Sequence, residues 1–180
     1  MKSNFEFLNR YWPVLAQLGA NAENYLYSDS NACIYKLGMF AERLVQEILV
    51  FEHMDEPKTD NTNANRIRLL KRAGLLPHEI DNILYVLRKT RNSAVHTETD
   101  SVDEAKTLLS MTYNLAVWFM ETYGDWGFIA KDFVMPEEVH PADLKSVIED
   151  QEKKIAELSK KLAEVTTAVS GTTQKERAKR

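Results

Sequence analysis

Between residues 34 and 49 each helical turn would return an apolar side chain to one side: Ile34, Leu37, Phe40, Ala41, Leu44, Val45, Ile48 and Leu49. This 3.6-residue period excludes strand alternation and predicts a long helix. A helix with so broad an apolar stripe needs other helices to cover it. The rest of the chain offers them. Ser3 and Glu6 have capping-box spacing, and Phe5, Leu8, Leu15 and Leu18 follow at helical intervals towards Gly19. Pro13 should kink or divide that segment. A short helix is expected near residues 20–27, and "DEPKTDNTN" (55–63) reads as a polar loop. A further short helix should run from about Asn65 to Ala73 and close at Gly74. Leu76, Ile80, Ile83, Leu84 and Leu87 mark a helix entered at Pro77. Ser101 and Glu104 repeat the capping-box spacing. Ala105, Leu108, Leu109, Leu115, Ala116, Trp118 and Phe119 then carry a long helix to Gly124. The fold class is all-α, a helical bundle over 1–124. Leu44, Ile48, Leu84, Leu87, Leu108, Leu115 and Trp118 are expected to share its core.

Residues 125–143, with Pro136, Pro141 and several turn formers, read as a linker. Beyond them the period shortens to 3.5. Ile148, Ile155, Leu162 and Val169 recur every seventh residue, and Leu144, Gln151, Leu158 and Val165 recur in the complementary register. These are the a and d positions of a coiled-coil helix over 144–169, and Ile at a with Leu at d leans towards a parallel dimer. The alternative is a solitary helix that docks its stripe on its own domain. The tail "SGTTQKERAKR" (170–180) is basic and polar and should be flexible.

Several function classes are excluded. A net charge of −4 and a pI near 5.6 argue against a broad basic face for nucleic acid, but leave room for a local basic site. One cysteine, Cys33, allows no internal disulfide and suits a reducing, cytoplasmic setting, where it reads as a small buried apolar residue. The N-terminus lacks the uninterrupted apolar core of a signal peptide, and no window is long and apolar enough to span a membrane. No phosphate-binding loop and no Gly-x-Ser-x-Gly elbow is present. His53, His78, His96 and His140 are scattered without zinc spacing, so neither a metal nor a cofactor is called for.

The remaining chemistry gathers at "LRKTRNSAVH" (87–96), where Arg88, Lys89 and Arg91 precede Asn92 and His96. In an unbroken helix, five residues turn through about 140°, so Arg91 and His96 would diverge. Asn92 and Ser93 compete for the backbone, and loosening there would turn both side chains towards one site. The alternative is a surface arginine at a helix C-terminus followed by a histidine in a loop. The arrangement resembles the Arg-x4-6-His motif of the HEPN superfamily (higher eukaryotes and prokaryotes nucleotide-binding). Its intact motifs belong to metal-independent ribonucleases or nucleotide-modifying toxins, many of them homodimers that pair two motifs. A closer resemblance spans roughly residues 4–124: "FLNRYWPVLAQLGANAENYLYSDSNACIYKLGMFAERLVQEI", "LRKTRNSAVH" and "AVWFMETYG" look like the HEPN-related domain at the N-terminus of type I restriction enzyme R subunits. In those proteins a helical connector, which 141–169 resembles, leads on to nuclease and ATP-driven translocase domains. That family often has glycine just before the Asn and its arginine further upstream, at the place of Arg88; this chain has Arg91 instead of that glycine, which fits the catalytic HEPN pattern better than many members of that family do.

The resemblance implies a bacterial, anti-phage restriction role, with nucleic acid and other domains or subunits of a restriction complex as partners. It also implies Arg91, Asn92 and His96 as candidate catalytic residues, and Arg88, Lys89 and Arg91 as candidate nucleic-acid contacts. RNA cleavage would use its own 2′-hydroxyl, with His96 moving a proton near neutral pH and the Arg91 fork stabilising the phosphoryl oxygens. Asn92 would orient the phosphate or His96. Glu42 is either an internal partner for Arg88 or Arg91 or a solvated residue on the face of its helix. The heptads carry an expectation of their own. A solitary helix of this length is marginal in water, so 144–169 should self-associate or pack on another domain. Light scattering should give the full chain twice its monomer mass of 20.7 kDa and a 1–140 fragment its own monomer mass; monomeric masses for both would remove the dimer.

Overall fold

The computed structural model describes residues 2–57, 60–94, 101–138 and 148–162, without the side chains of Ser93 and Ala94. A 3-10 turn, Glu6–Leu8, precedes five α-helices: α1 Pro13–Tyr25, α2 Ser30–Phe51, α3 Asn63–Arg72, α4 His78–Ala94 and α5 Val102–Tyr123. Residues 148–162 form a further helix, and no strand occurs among the described residues. The chain divides into two compact units, Met1–Pro136 and Glu137–Arg180.

In the first unit α2 is central and packs against α1, α3, α4 and α5. Its stripe is wholly or almost wholly enclosed, including Leu37, Phe40, Leu44, Val45 and Ile48. The covering helices contribute Leu70, Leu84, Leu87, Leu109, Leu115 and Phe119 to the same core. The caps explain where the helices begin and end. Asp29 Oδ1 accepts from Ala32 N (2.8 Å) at the start of α2, and Ser101 Oγ accepts from Glu104 N (3.2 Å) at the start of α5. Gly74, at φ +73°, ends α3 as the left-handed residue of a Schellman motif: Gly74 N donates to Lys71 O and Leu75 N to Leu70 O.

The structure departs from the sequence reading in several places. Pro13 does divide the first segment, as the opening residue of α1. Gly19, however, is not a stop: α1 runs through it to Tyr25 and absorbs the short helix expected at 20–27. The glycine serves close approach, because a Cβ there would run into the Phe5 ring. Ser3 caps nothing helical; its hydroxyl accepts from Phe5 N. Trp118 lies at the rim, half-buried, whereas the other six expected core residues are buried. Asn92 and Ser93 do not loosen α4, which continues to Ala94.

Much of the segment read as linker lies along the bundle. Phe128, Phe133 and Met135 pack on the core, with Phe7 and Phe128 stacked at 4.9 Å. Asn4 and Val134 exchange two hydrogen bonds, and the hydroxyls of Tyr27 and Tyr113 donate to Pro136 O and Lys131 O. Cys33 is buried, and its burial pushes the thiol up to about 12, with Asp29 and Glu23 adding to the shift. It is therefore inert near neutral pH. In the helix over 148–162, Ile148, Ile155, Leu158 and Leu162 are exposed. Leu144, Val165, Val169 and the 170–180 tail lie outside the described residues. Among the described residues no helix is long and apolar enough to cross a membrane.

Burial, more than side-chain size, should set the cost of truncation. Leu44→Ala and Leu87→Ala should each lose about 2–5 kcal/mol in urea unfolding. Trp118→Ala should lose less than the roughly 3–5 kcal/mol of a fully buried aromatic.

Candidate functional site

The site begins on α2, where Tyr35, Gly38 and Glu42 fall three and four residues apart and so share one face. Gly38 lets α4 come close. A Cβ at that position would collide with Cβ, Cγ and Cδ of Arg91, so the arginine stem lies directly on the α2 backbone. The guanidinium then reaches Glu42, Nη1 to Oε2 at 2.6 Å, and sits 5.1 Å from the centre of the Tyr35 ring. The Arg91 side chain is 26% exposed and that of Glu42 31%. Burial alone would lower the Arg91 pKa. The hydrogen bonds to Glu42 and Tyr35 outweigh it and raise the value, so the cation is permanent.

Glu42 has a second cation. Arg66 on α3 directs Nη1 at Glu42 Oε1 (3.4 Å) and Nε at Glu56 Oε2 (2.7 Å), with only 8% of its side chain exposed. Arg91, Glu42, Arg66 and Glu56 thus form a chain of alternating charge that ties α4, α2, α3 and the loop after α2 together. Its charges cancel, which is what allows Arg66 to be buried.

Of the residues singled out from sequence, the structure brings Arg91 and Glu42 together. Asn92 and Lys89 are exposed on α4. Arg88 faces elsewhere. It lies over the Tyr85 ring at 5.7 Å and lines a groove of about 300 Å³ between α3 and α4. His96 lies outside the described residues, as does any turn that would bring it to Arg91. Tyr35, Gly38, Arg66 and Glu56 were not anticipated. A signal did exist for the first two, because they share the helical face of Glu42. Among the described residues no group of three or more His, Cys, Asp or Glu side chains is placed to hold a metal ion. Chemically, the arrangement is a neutralised, packed arginine beside a separate groove rich in positive charge.

An all-helical chain of this kind falls into a defined class: it belongs to the family described as domain of unknown function (DUF4145), whose model matches residues 20–167. A curated relative is the Type I restriction enzyme EcoKI endonuclease subunit of Escherichia coli (strain K12), to which the chain is 29% identical over 171 residues. That alignment covers 91% of this chain, which spans 14% of the length of the relative. No solved structure matches the chain.

The packing of Arg91 on Gly38 predicts an energetic coupling across 53 positions of sequence. Gly38→Ala alone should destabilise the fold by about 1–3 kcal/mol, because the stem must move. Combined with Arg91→Ala the contacts with Cγ and Cδ disappear and only that with Cβ remains, so a double-mutant cycle in urea should be non-additive. Simple additivity would refute the contact. Glu42→Gln, which leaves two cations facing a neutral amide, should cost about 1–2 kcal/mol.

Proposed function

We propose that this chain is a HEPN-like assembly and nucleic-acid-contact module of a type I restriction endonuclease subunit, serving DNA restriction in anti-phage defence. In this reading the motor and the DNA nuclease lie outside these residues, and the partners are nucleic acid and other parts of the restriction complex. The observation that carries it is the extent of the match to the E. coli endonuclease subunit: nearly all of this chain, but a small fraction of that protein. A segment with its own enclosed core and that proportion of a larger chain behaves as one module among several. The helix over 148–162, with its exposed apolar stripe, is the natural joint, either to a second copy as a coiled coil or to a neighbouring domain.

The rival reading is a metal-independent ribonuclease acting through Arg91 and His96. It requires the Arg91 fork to meet a transferring phosphate. Glu42 already occupies Nη1 of that fork and Tyr35 covers its face, so the arginine holds the helices together before any ligand arrives. The geometry therefore favours docking over cleavage.

Labelled single-stranded RNA incubated with the protein and a chelator should stay intact, with the wild type and with His96→Ala alike. Cleavage that leaves a cyclic phosphate and disappears in His96→Ala would replace the docking reading with the ribonuclease. Sequencing the reading frame beyond Arg180 gives an independent check. A nuclease and a phosphate-loop motor in frame are expected; a stop codon beside a small antitoxin gene would overturn the assignment.

A further inference from the structure

The groove between α3 and α4 is built from two facing rows. Ile67, Arg68 and Lys71 come from α3, and Asp81, Tyr85 and Arg88 from α4. Each row keeps helical spacing, so each presents one face to the groove. Lys71 and Asp81 pair across one end and tie the helices there. From that tie, Tyr85 and Arg88 follow one and two turns along α4. The lining also includes two apolar residues, the buried Ile67 and the half-buried Ala64. Among the described residues no carboxylate pairs with Arg68 or Arg88. Arg68 donates to Asn65 Oδ1, and Arg88 rests on the Tyr85 ring. Three cations against one carboxylate line this groove, in a chain whose net charge is −4.

That combination selects a ligand. The exposed Tyr85 ring, 53% accessible, has the Arg88 guanidinium 5.7 Å from its centre and keeps surface open for stacking. Two arginines free of carboxylates attract phosphate. A volume of about 300 Å³ is at the small end of ligand pockets and suits one nucleotide, not a duplex. A base can stack on Tyr85 only if it is not already stacked and paired in a helix. We infer that the α3–α4 groove binds an unpaired nucleotide of a single-stranded nucleic acid, its base on Tyr85 and its flanking phosphates at Arg68 and Arg88. The inference rests on the nucleic-acid half of the proposed function and gives it a place, on a surface distinct from the Arg91–Glu42 contact.

Fluorescence anisotropy of the full chain tests it, with labelled oligothymidylate, the ribo-oligomer of matching sequence and a duplex as three probes. Single strands should bind better than duplex. Tyr85→Ala should weaken binding about ten-fold, as loss of one base–aromatic stack does, without changing the salt dependence. Tyr85→Phe should restore it. Arg88→Gln and Arg68→Gln should each flatten the plot of log affinity against log salt by roughly 0.7, the share of one phosphate on a single strand. All three positions of change are at the surface of the bundle, and circular dichroism checks that the variants stay folded. Binding by one single-stranded probe only, lost in these variants, identifies which nucleic acid the groove takes and supports the inference. Wild-type binding that the variants leave unchanged overturns the groove and spares the contact role. No binding of any probe by the wild type overturns both.

Discussion

Helix α2 can be kept from water only by surrounding it. Its buried residues, from Cys33 through Leu49, fall on so much of its circumference that one partner helix could not cover them. Four helices do, and the bundle is the geometric answer to that demand. The same enclosure governs the polar residue on this helix that faces α3 and α4. Glu42 cannot reach bulk water on all sides, so two arginines from those helices meet it. The network near the candidate motif is a consequence of where α2 sits before it is a functional device.

The parts of the fold that periodicity controls were legible in the sequence, because burial on one side of a helix leaves a repeating trace. Leu44, Ile48, Leu84, Leu87, Leu108 and Leu115 carried that trace and are buried. The misread parts lack a period. Gly19 looks like a helix end from propensity alone, but its role depends on the Phe5 ring arriving from outside the helix. Phe128, Phe133 and Met135 are single anchors in an irregular strand of chain, and their partners lie far away in sequence. Turn formers around them suggested a spacer, whereas tyrosine hydroxyls bonded to the backbone hold that segment against the helices.

The candidate site was legible by half. Arg91 and Glu42 could be named as partners because each had charge and a place on a helix, although nothing local fixes a contact between residues 49 apart. Gly38 was the overlooked residue. A glycine on the apolar stripe of a long helix costs helix stability and so calls for a close neighbour, and that neighbour is the stem of Arg91. The loosening assumed at Asn92 and Ser93 weighed their intrinsic preference too heavily. Ile83, Leu84 and Leu87, buried one to three turns earlier, hold α4 on α2 strongly enough to carry the helix past them.

The electrostatic consequence is a separation of two groups of cations that stand together in the sequence. Arg88 and Arg91 are three residues apart, yet they meet different surroundings. Arg91 is turned inward to Glu42, and Arg88 is turned towards α3 and the groove. Charge that is already paired at short range contributes little at a distance, since the field of the carboxylate cancels it. In the groove proposed above, attraction for phosphate would come from Arg68 and Arg88 rather than from Arg91. On an acidic molecule such attraction acts over about one Debye length, ~8 Å at physiological salt, so it can engage only a few phosphates. A contact of that size is weak, local and sensitive to salt. It suits a module that helps position a strand for machinery elsewhere, and it is poorly suited to holding a nucleic acid unaided.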